Sequence, residues 1–253
     1  MTAQALNSPP EFIKLLAHEL RWKLVKVLTA SDYRVQELVT FLDEPMNLVS
    51  YHLKKLRDDG VVTMRRSEAD ARDVYYSLDL GNLRHLYQAA GIALHPAFAS
   101  GAVTSPLPPL APARVLFVCT HNSARSQMAE GLMRHASAGQ IAVFSAGSQP
   151  THIHPDAVQI MDALGIDIRD QRAKDVQHFA NQPFDYVITV CDRAREICPH
   201  FPGEGEQIHW GFTDPVAITD TRERQRRFAE IAGQLSARID YFLLGLAEQR
   251  PLH

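Results

Sequence analysis

Val115-Leu116-Phe117-Val118-Cys119-Thr120-His121-Asn122-Ser123-Ala124-Arg125-Ser126, running on into Gln127-Met128-Ala129-Glu130, is the stretch on which the fold turns. Four apolar residues read as a short buried strand, and from Ser126 onward the pattern is helical. Between them lies a loop with a thiol at one end, Cys119, and a guanidinium at the other, Arg125. A loop closing onto a helix N-terminus turns several backbone N–H groups inward and so cradles a tetrahedral oxyanion. Arg125 adds a bidentate clamp on two anion oxygens. The same positive field favours a thiolate, so Cys119 is expected to be a nucleophile with a lowered pKa. Thr120, His121, Asn122, Ser123, Ala124, Arg125 and Ser126 are thus the expected oxyanion-binding loop, with Ser126 able to donate to the sulfur. A core cysteine and a surface arginine at chance spacing would leave the flanking strand and helix unexplained.

At 253 residues the chain is long for one domain and comfortable for two. Hydrophobic content of 45% and charged content of 22% match an ordinary soluble globular protein. No apolar run is long enough to span a bilayer and no signal-like segment opens the chain, so a cytoplasmic location is expected, with no membrane partner. A net charge of −3 gives no bulk attraction to nucleic acid, and any DNA binding has to come from a local patch. Three cysteines, Cys119, Cys191 and Cys198, all in the second half, argue against a disulfide framework.

Outward from the central stretch, residues 114–253 alternate strand and helix. The expected elements are strand Val115–Val118, helix Ser126–Ala136, strand Ile141–Ser145, helix Asp156–Leu164 before Gly165, strands Tyr186–Val190 and Gln207–Trp210, and a long helix Thr221–Leu246. Such alternation predicts a parallel α/β sheet with helices on both faces. Ligands in these folds sit beyond the C-terminal strand ends, where Cys119, Cys191 and Asp214 fall. Pro96 to Ala113 holds five of the fifteen prolines and no charged residue, which marks 96–113 as a semi-rigid linker.

Residues 1–95 read differently. Apolar positions from Phe12 to Leu28 follow helical spacing; Val35–Leu42 is a second, short helix ended by Pro45; Asn47 to Asp59 is a third, with Gly60 as its C-cap. Val61–Met64 and Val74–Leu78 form a hairpin, and Leu80–Leu94 returns to helix. This is the layout of a mainly α winged helix-turn-helix. Val49-Ser50-x-His52-Leu53-x-x-Leu56-x-x-x-Gly60-Val61-Val62 resembles the recognition-helix signature of the arsenic-responsive repressor (ArsR-type) family. The resemblance implies operator DNA as a partner. Because one recognition helix buries too little surface for specific binding, a homodimer through this domain is expected, with the apolar helices 12–28 and 80–94 as its interface. Asn47, Ser50, Tyr51, Lys54 and Lys55 would enter the major groove, and Arg65, Arg66 and Arg72 would touch phosphate. The family's paired metal-sensing cysteines are missing from Val35–Leu42. His18, His52, His85 and His95 are better read as surface or capping residues than as a zinc site.

Cys191 and Cys198 bracket six residues just after a strand, and they can join only if that segment bends or unwinds. Redox-active thiols, inert thiols, and a zinc ion held by the three cysteines with His200 are all compatible with that spacing. Asp214, locked before Pro215 on a loop after a strand, is a candidate general acid.

Cys119-Thr-His-Asn-Ser-Ala-Arg-Ser-Gln-Met-Ala-Glu-Gly, the second cysteine pair and Asp214-Pro215 together resemble the low-molecular-weight tyrosine phosphatases, and more closely their relatives, the thioredoxin-coupled arsenate reductases. The resemblance implies that Cys119 attacks arsenate held by Arg125 and the loop amides while Asp214 protonates the departing oxygen. Cys191 then attacks Cys119, Cys198 resolves that disulfide, and thioredoxin reduces the Cys191–Cys198 bond. No tightly bound cofactor is implied. Some relatives bind potassium, and Asn122, Glu130, Ser145 and Asp175 are similar to those ligands. Two other readings stand beside the reductase: a tyrosine phosphatase with a regulator attached, against which Val216-Ala217 replace the usual aromatics, and a non-catalytic oxyanion sensor.

Overall fold

The computed structural model describes residues 9–95, 98, 109–197 and 205–248. The chain divides into two compact units, Met1–Ser67 with Ala71–Ser105, and Pro106–His253 with Glu68–Asp70. Each has its own apolar core. The expected linker falls for the most part outside the described residues. Among the described residues, no helix is long and apolar enough to cross a membrane.

In the first unit, helices α1 (Glu11–Leu16) and α2 (Glu19–Ala30) replace the single helix expected across residues 12–28. His18 takes an extended conformation and caps α2, its ring nitrogen accepting from the Leu20 N–H. Arg21 then bends back and donates to the carbonyls of Leu15 and Lys14, which satisfies the end of α1. The apolar spacing runs through the break because both helices cover one core.

Strand β1 (Tyr33–Arg34) and helix α3 (Val35–Leu42) follow. Helix α3 stops at Asp43, which is left-handed with φ 53°, rather than at Pro45; Pro45 precedes the first residue of α4 (Met46–Asp58). Helix α4 buries Val49, Leu53 and Leu56, each worth roughly 1.5–3 kcal/mol over exposure. It closes in a Schellman motif: Gly60 N–H reaches Arg57 O, Val61 N–H reaches Leu56 O, and Gly60 supplies the left-handed residue at φ 71°. Strands β2 (Val62–Arg66) and β3 (Val74–Leu78) pair antiparallel, and β1 adds to the other edge of β3. Helix α5 (Leu80–Leu94) is capped by Asp79 and completes the unit.

The second unit is a four-stranded parallel sheet in the order β5-β4-β6-β7, from β4 (Arg114–Cys119), β5 (Ala142–Gly147), β6 (Tyr186–Thr189) and β7 (Glu206–His209). Val115, Leu116, Phe117 and Val118 are all buried in β4, as a central strand requires. The register puts Phe117, Ser145 and Tyr186 on one face and Phe144 and Val187 on the other. Helices α6 (Arg125–Ala136) and α9 (Thr221–Glu248) pack on the first face, where Tyr186 and Trp210 meet Phe242 edge-on. On the second face, Phe144 packs with Phe179 and Phe184. Helices α7 (Pro155–Ala163) and α8 (Asp192–Ile197) complete the unit. Every residue of α6 from Arg125 to Met133 is buried, so this helix is the centre of the domain rather than an amphipathic cover.

Candidate active site

Cys119 is the last residue of β4, and Arg125 is the first of α6, one position earlier than the helix start expected from the pattern. The turn between them depends on Asn122, whose φ of 46° is left-handed. That conformation aims the Asn122 N–H at Cys119 Sγ, 3.1 Å away. Ser126 Oγ lies 3.0 Å from the same sulfur. Two polar groups, one from the loop backbone and one from the first turn of α6, thus converge on this buried sulfur.

The rest of the loop is held from outside. Thr120, His121 and Ser123 give their carbonyls to the N–H groups of Gln149, Thr151 and His154, in the segment after β5. Gln127 Nε2 donates to Asn122 O, to Asn122 Oδ1 and to Arg172 O. At the end of β5, a Cβ on Gly147 would stand 2.6 Å from Thr120 O and 2.7 Å from Asn122 N, so the loop closes onto a strand that has room only for glycine. Gln127 belongs to the quoted stretch without a role that the sequence gives it, and Gly147 has one local signal, a glycine ending an apolar strand, which points to close approach.

Asp214 and Cys191 reach this loop because β6 and β7 follow β4 in the sheet. Arg125 donates to Phe212 O, and its second nitrogen lies 3.4 Å from Asp214 Oδ1. Burial disfavours the Arg125 charge, but the Asp214 carboxylate, the Cys191 sulfur, the Glu68 carboxylate 3.2 Å away and the Cys119 sulfur outweigh it and raise its pKa above the ordinary arginine value. Asp214 Oδ1 also accepts from Val216 N–H and caps the short turn Pro215–Ala217.

Cys191 lies two residues past the end of β6, after Val190. Its Sγ is 3.5 Å from Thr120 Oγ1 and accepts from the Ala194 N–H at 3.4 Å. Cys119 and Cys191 are both buried free thiols. Burial pushes the Cys191 thiol above the usual cysteine range, while Arg125 pulls the other way. Asp192, the first residue of α8, is braced by His209 at the end of β7: Nε2 to Oδ1 is 3.0 Å, with Thr189 on the other ring nitrogen at 2.8 Å. Cys198 and His200 lie outside the described residues.

The residues similar to potassium ligands are also present, but they do not fit a further cation. Glu130 already holds the Lys174 ammonium at 3.2 Å and the Arg134 guanidinium. Asp175 points its carboxylate at Gln177 N–H, capping the turn Val176–Phe179. Among the described residues, no group of three His, Cys, Asp or Glu side chains could hold a metal ion. His18 is a cap whose ring packs on His52 at 4.2 Å, and His85 and His95 are exposed.

On α4, Asn47, Tyr51, Lys54 and Lys55 are exposed, Ser50 is half-buried, and Lys55 lies over the Tyr51 ring. Arg66 and Arg72 are exposed. Arg65 does not join them. One position along β2 from Arg66, it faces the other way, over the Tyr75 ring and toward buried Asp32.

Comparison with known proteins agrees with this geometry. The family model described as low molecular weight phosphotyrosine protein phosphatase matches residues 114–251. An arsenate reductase of Shouchella clausii is 38% identical over 129 residues, 51% of this chain and 93% of its own length. An arsenate reductase of Bacillus subtilis is 37% identical over 114 residues, 45% of this chain and 82% of its own length. A glutaredoxin arsenate reductase of Synechocystis sp. is 33% identical over 127 residues, 50% and 93% respectively. Through residues 114–251, this chain belongs to the low molecular weight phosphotyrosine protein phosphatase family.

Proposed function

We propose that the second unit is an arsenate reductase that runs on three thiols, and that the first unit is a winged helix-turn-helix DNA-binding domain. The observation that carries the enzymatic reading is the pairing of two buried thiols at adjacent strand ends, Cys119 inside the anion loop and Cys191 touching Thr120 of that loop. A phosphatase needs only the first thiol, since water completes its cycle.

In this reading the Cys119 thiolate attacks arsenic, forming the S–As bond, and the arsenate hydroxyl leaves as water with a proton from Asp214. Cys191 attacks Cys119 Sγ, the S–As bonding pair stays on arsenic, and arsenite leaves with a Cys119–Cys191 disulfide behind. Cys198 attacks Cys191 and frees Cys119. A dithiol reductant then supplies two electrons to the Cys191–Cys198 disulfide. Helix α8 lies between those two thiols and advances about 1.5 Å per residue, whereas a disulfide needs Cα atoms within ~7 Å, so α8 unwinds in the oxidised enzyme.

The test is arsenate-dependent oxidation of NADPH, coupled in one arm through thioredoxin and its reductase and in the other through glutaredoxin and glutathione. Turnover in the thioredoxin arm is expected. Turnover in the glutaredoxin arm alone would change the reductant, and turnover in neither would overturn the reductase reading.

The DNA-binding reading rests on the outward polar face of α4 opposite its buried Val49, Leu53 and Leu56. A single recognition helix covers too little DNA for specificity, so the domain acts as a homodimer on a palindromic operator. Monomers by sedimentation, with no palindrome selected from random DNA, would overturn it.

A further inference from the structure

Glu130 is a buried carboxylate in the middle of α6. Left alone, such a charge would cost several kcal/mol or more. Three groups compensate it: Ser145 Oγ and Lys174 Nζ meet Oε2, and Arg134 meets Oε1. Arg134 is half exposed and solvent-screened, so Lys174, only 28% exposed, is the stronger counter-charge.

Lys174 is fixed at three further points. Its N–H donates to Asn122 Oδ1 at 2.8 Å, its carbonyl accepts from Gly147 N–H at 2.9 Å, and its ammonium also donates to Arg172 O at 3.0 Å. The residue therefore spans from the anion loop to the carboxylate behind it.

The carboxylate sets the sense of a chain of hydrogen bonds that ends at the nucleophile. An ionised Glu130 only accepts, so Ser145 must donate to it. Ser145 Oγ in turn accepts from Asn122 Nδ2 at 2.8 Å. The same Nδ2 donates to Ser126 Oγ at 2.9 Å. Ser126, accepting there, has its own proton free for Cys119 Sγ at 3.0 Å. Bonds linked this way polarise one another.

We propose that Lys174 is a built-in cation and a positioning residue for Cys119: its ammonium does at Glu130 what a bound potassium ion would otherwise have to do, so the enzyme works without that ion. The role is the same whether the anion in the loop is arsenate or phosphate, and it does not depend on Cys191 or Cys198.

The test compares the full-length protein with Lys174→Ala and Lys174→Arg in potassium chloride and in choline chloride at equal ionic strength. Three quantities are read: the melting temperature, the rate of Cys119 alkylation by iodoacetamide at fixed pH, and kcat and KM for arsenate. The unmutated protein is expected to give the same values in both salts. Lys174→Ala in choline is expected to lose about tenfold in alkylation rate and in kcat/KM. Potassium is expected to restore much of that loss, and Lys174→Arg to retain most of the activity without it. A specific gain of the unmutated protein in potassium would overturn the proposal, as would Lys174→Ala matching it in choline. The salt comparison on the unmutated protein needs no variant and can overturn the proposal even if Lys174→Ala fails to fold, in which case Lys174→Arg, with its charge kept, carries the second arm.

Discussion

Cys119 Sγ and Ser126 Oγ lie 3.0 Å apart, one at the end of a strand and the other in the first turn of the helix that follows. Ser126→Ala removes that donor and also the acceptor that Asn122 Nδ2 uses at 2.9 Å. A hydrogen bond to a charged group is worth about 1.5–3 kcal/mol, or roughly tenfold to hundredfold in rate. Alkylation of Cys119 and kcat for arsenate are expected to fall together by that factor. Cys119→Ser is expected to abolish both arsenate turnover and aryl phosphate hydrolysis, because a hydroxyl is a poor nucleophile in a site arranged for a thiolate.

Gly147→Ala is expected to disable the loop from behind. The added methyl meets Thr120 O and Asn122 N, both backbone atoms with no rotamer to yield. Overpacking of this kind costs about 1–3 kcal/mol. Calorimetry should show a lower melting temperature, and isothermal titration should show loss of phosphate binding. Unchanged phosphate affinity would mean that the loop tolerates a methyl at the strand end.

Cys191 carries a pH signature. Its thiol is raised by burial, so between the ordinary cysteine value near 8.5 and its own higher value the folded state holds a proton that the unfolded state has lost. Stability is therefore full below about pH 8.5 and declines as pH climbs above it. Urea melts of Cys191→Ser should show a flatter alkaline limb than the unmutated protein. Since Arg125 opposes the shift, Arg125→Ala should make Cys191 slower still to alkylate at pH 8.

The order in which the thiols act separates reductase from phosphatase. Cys191→Ser and Cys198→Ser should each stop multiple turnover with arsenate and spare slow aryl phosphate hydrolysis. Cys198→Ser should release one arsenite per chain and trap a Cys119–Cys191 disulfide, visible by peptide mapping. Reduction of arsenate at the unmutated rate by both variants would remove the relay and favour the phosphatase or sensor reading.

On the first unit, Lys54→Ala with Lys55→Ala, on the helix face that would enter the major groove, is expected to weaken operator binding and to relax its sequence preference. Arg65→Ala is expected instead to act on stability, through Tyr75 and Asp32. A larger effect of Arg65 than of the lysines on DNA affinity would place the contact surface elsewhere.

Strand, loop and helix around Cys119 were legible because each carries a local signal: an apolar run, a thiol and guanidinium at fixed spacing, and a helical period. The parallel sheet followed from alternation. Other features left no local trace. The break at His18 lies inside an unbroken apolar stripe, and a two-residue strand such as β1 exists only by pairing with β3. Arg65 looked like an equal of Arg66 until the strand pleat separated them. Lys174 reads as an ordinary loop lysine, since what selects it is a carboxylate 44 positions earlier.

The strand order β5-β4-β6-β7 also bears on how the molecule comes into being. The strand bearing Cys119 leaves the ribosome first yet ends in the interior of the sheet, flanked by neighbours made later. Cys191 and Asp214 are translated more than seventy residues after it. Contacts of that span form slowly, because a long loop has to close before they give any return. During synthesis Cys119 is therefore an uncovered sulfur with Arg125 close by in sequence and neither Cys191 nor Asp214 yet made. The site around Cys119 is completed only when the sheet closes and brings Cys191 and Asp214 to the loop.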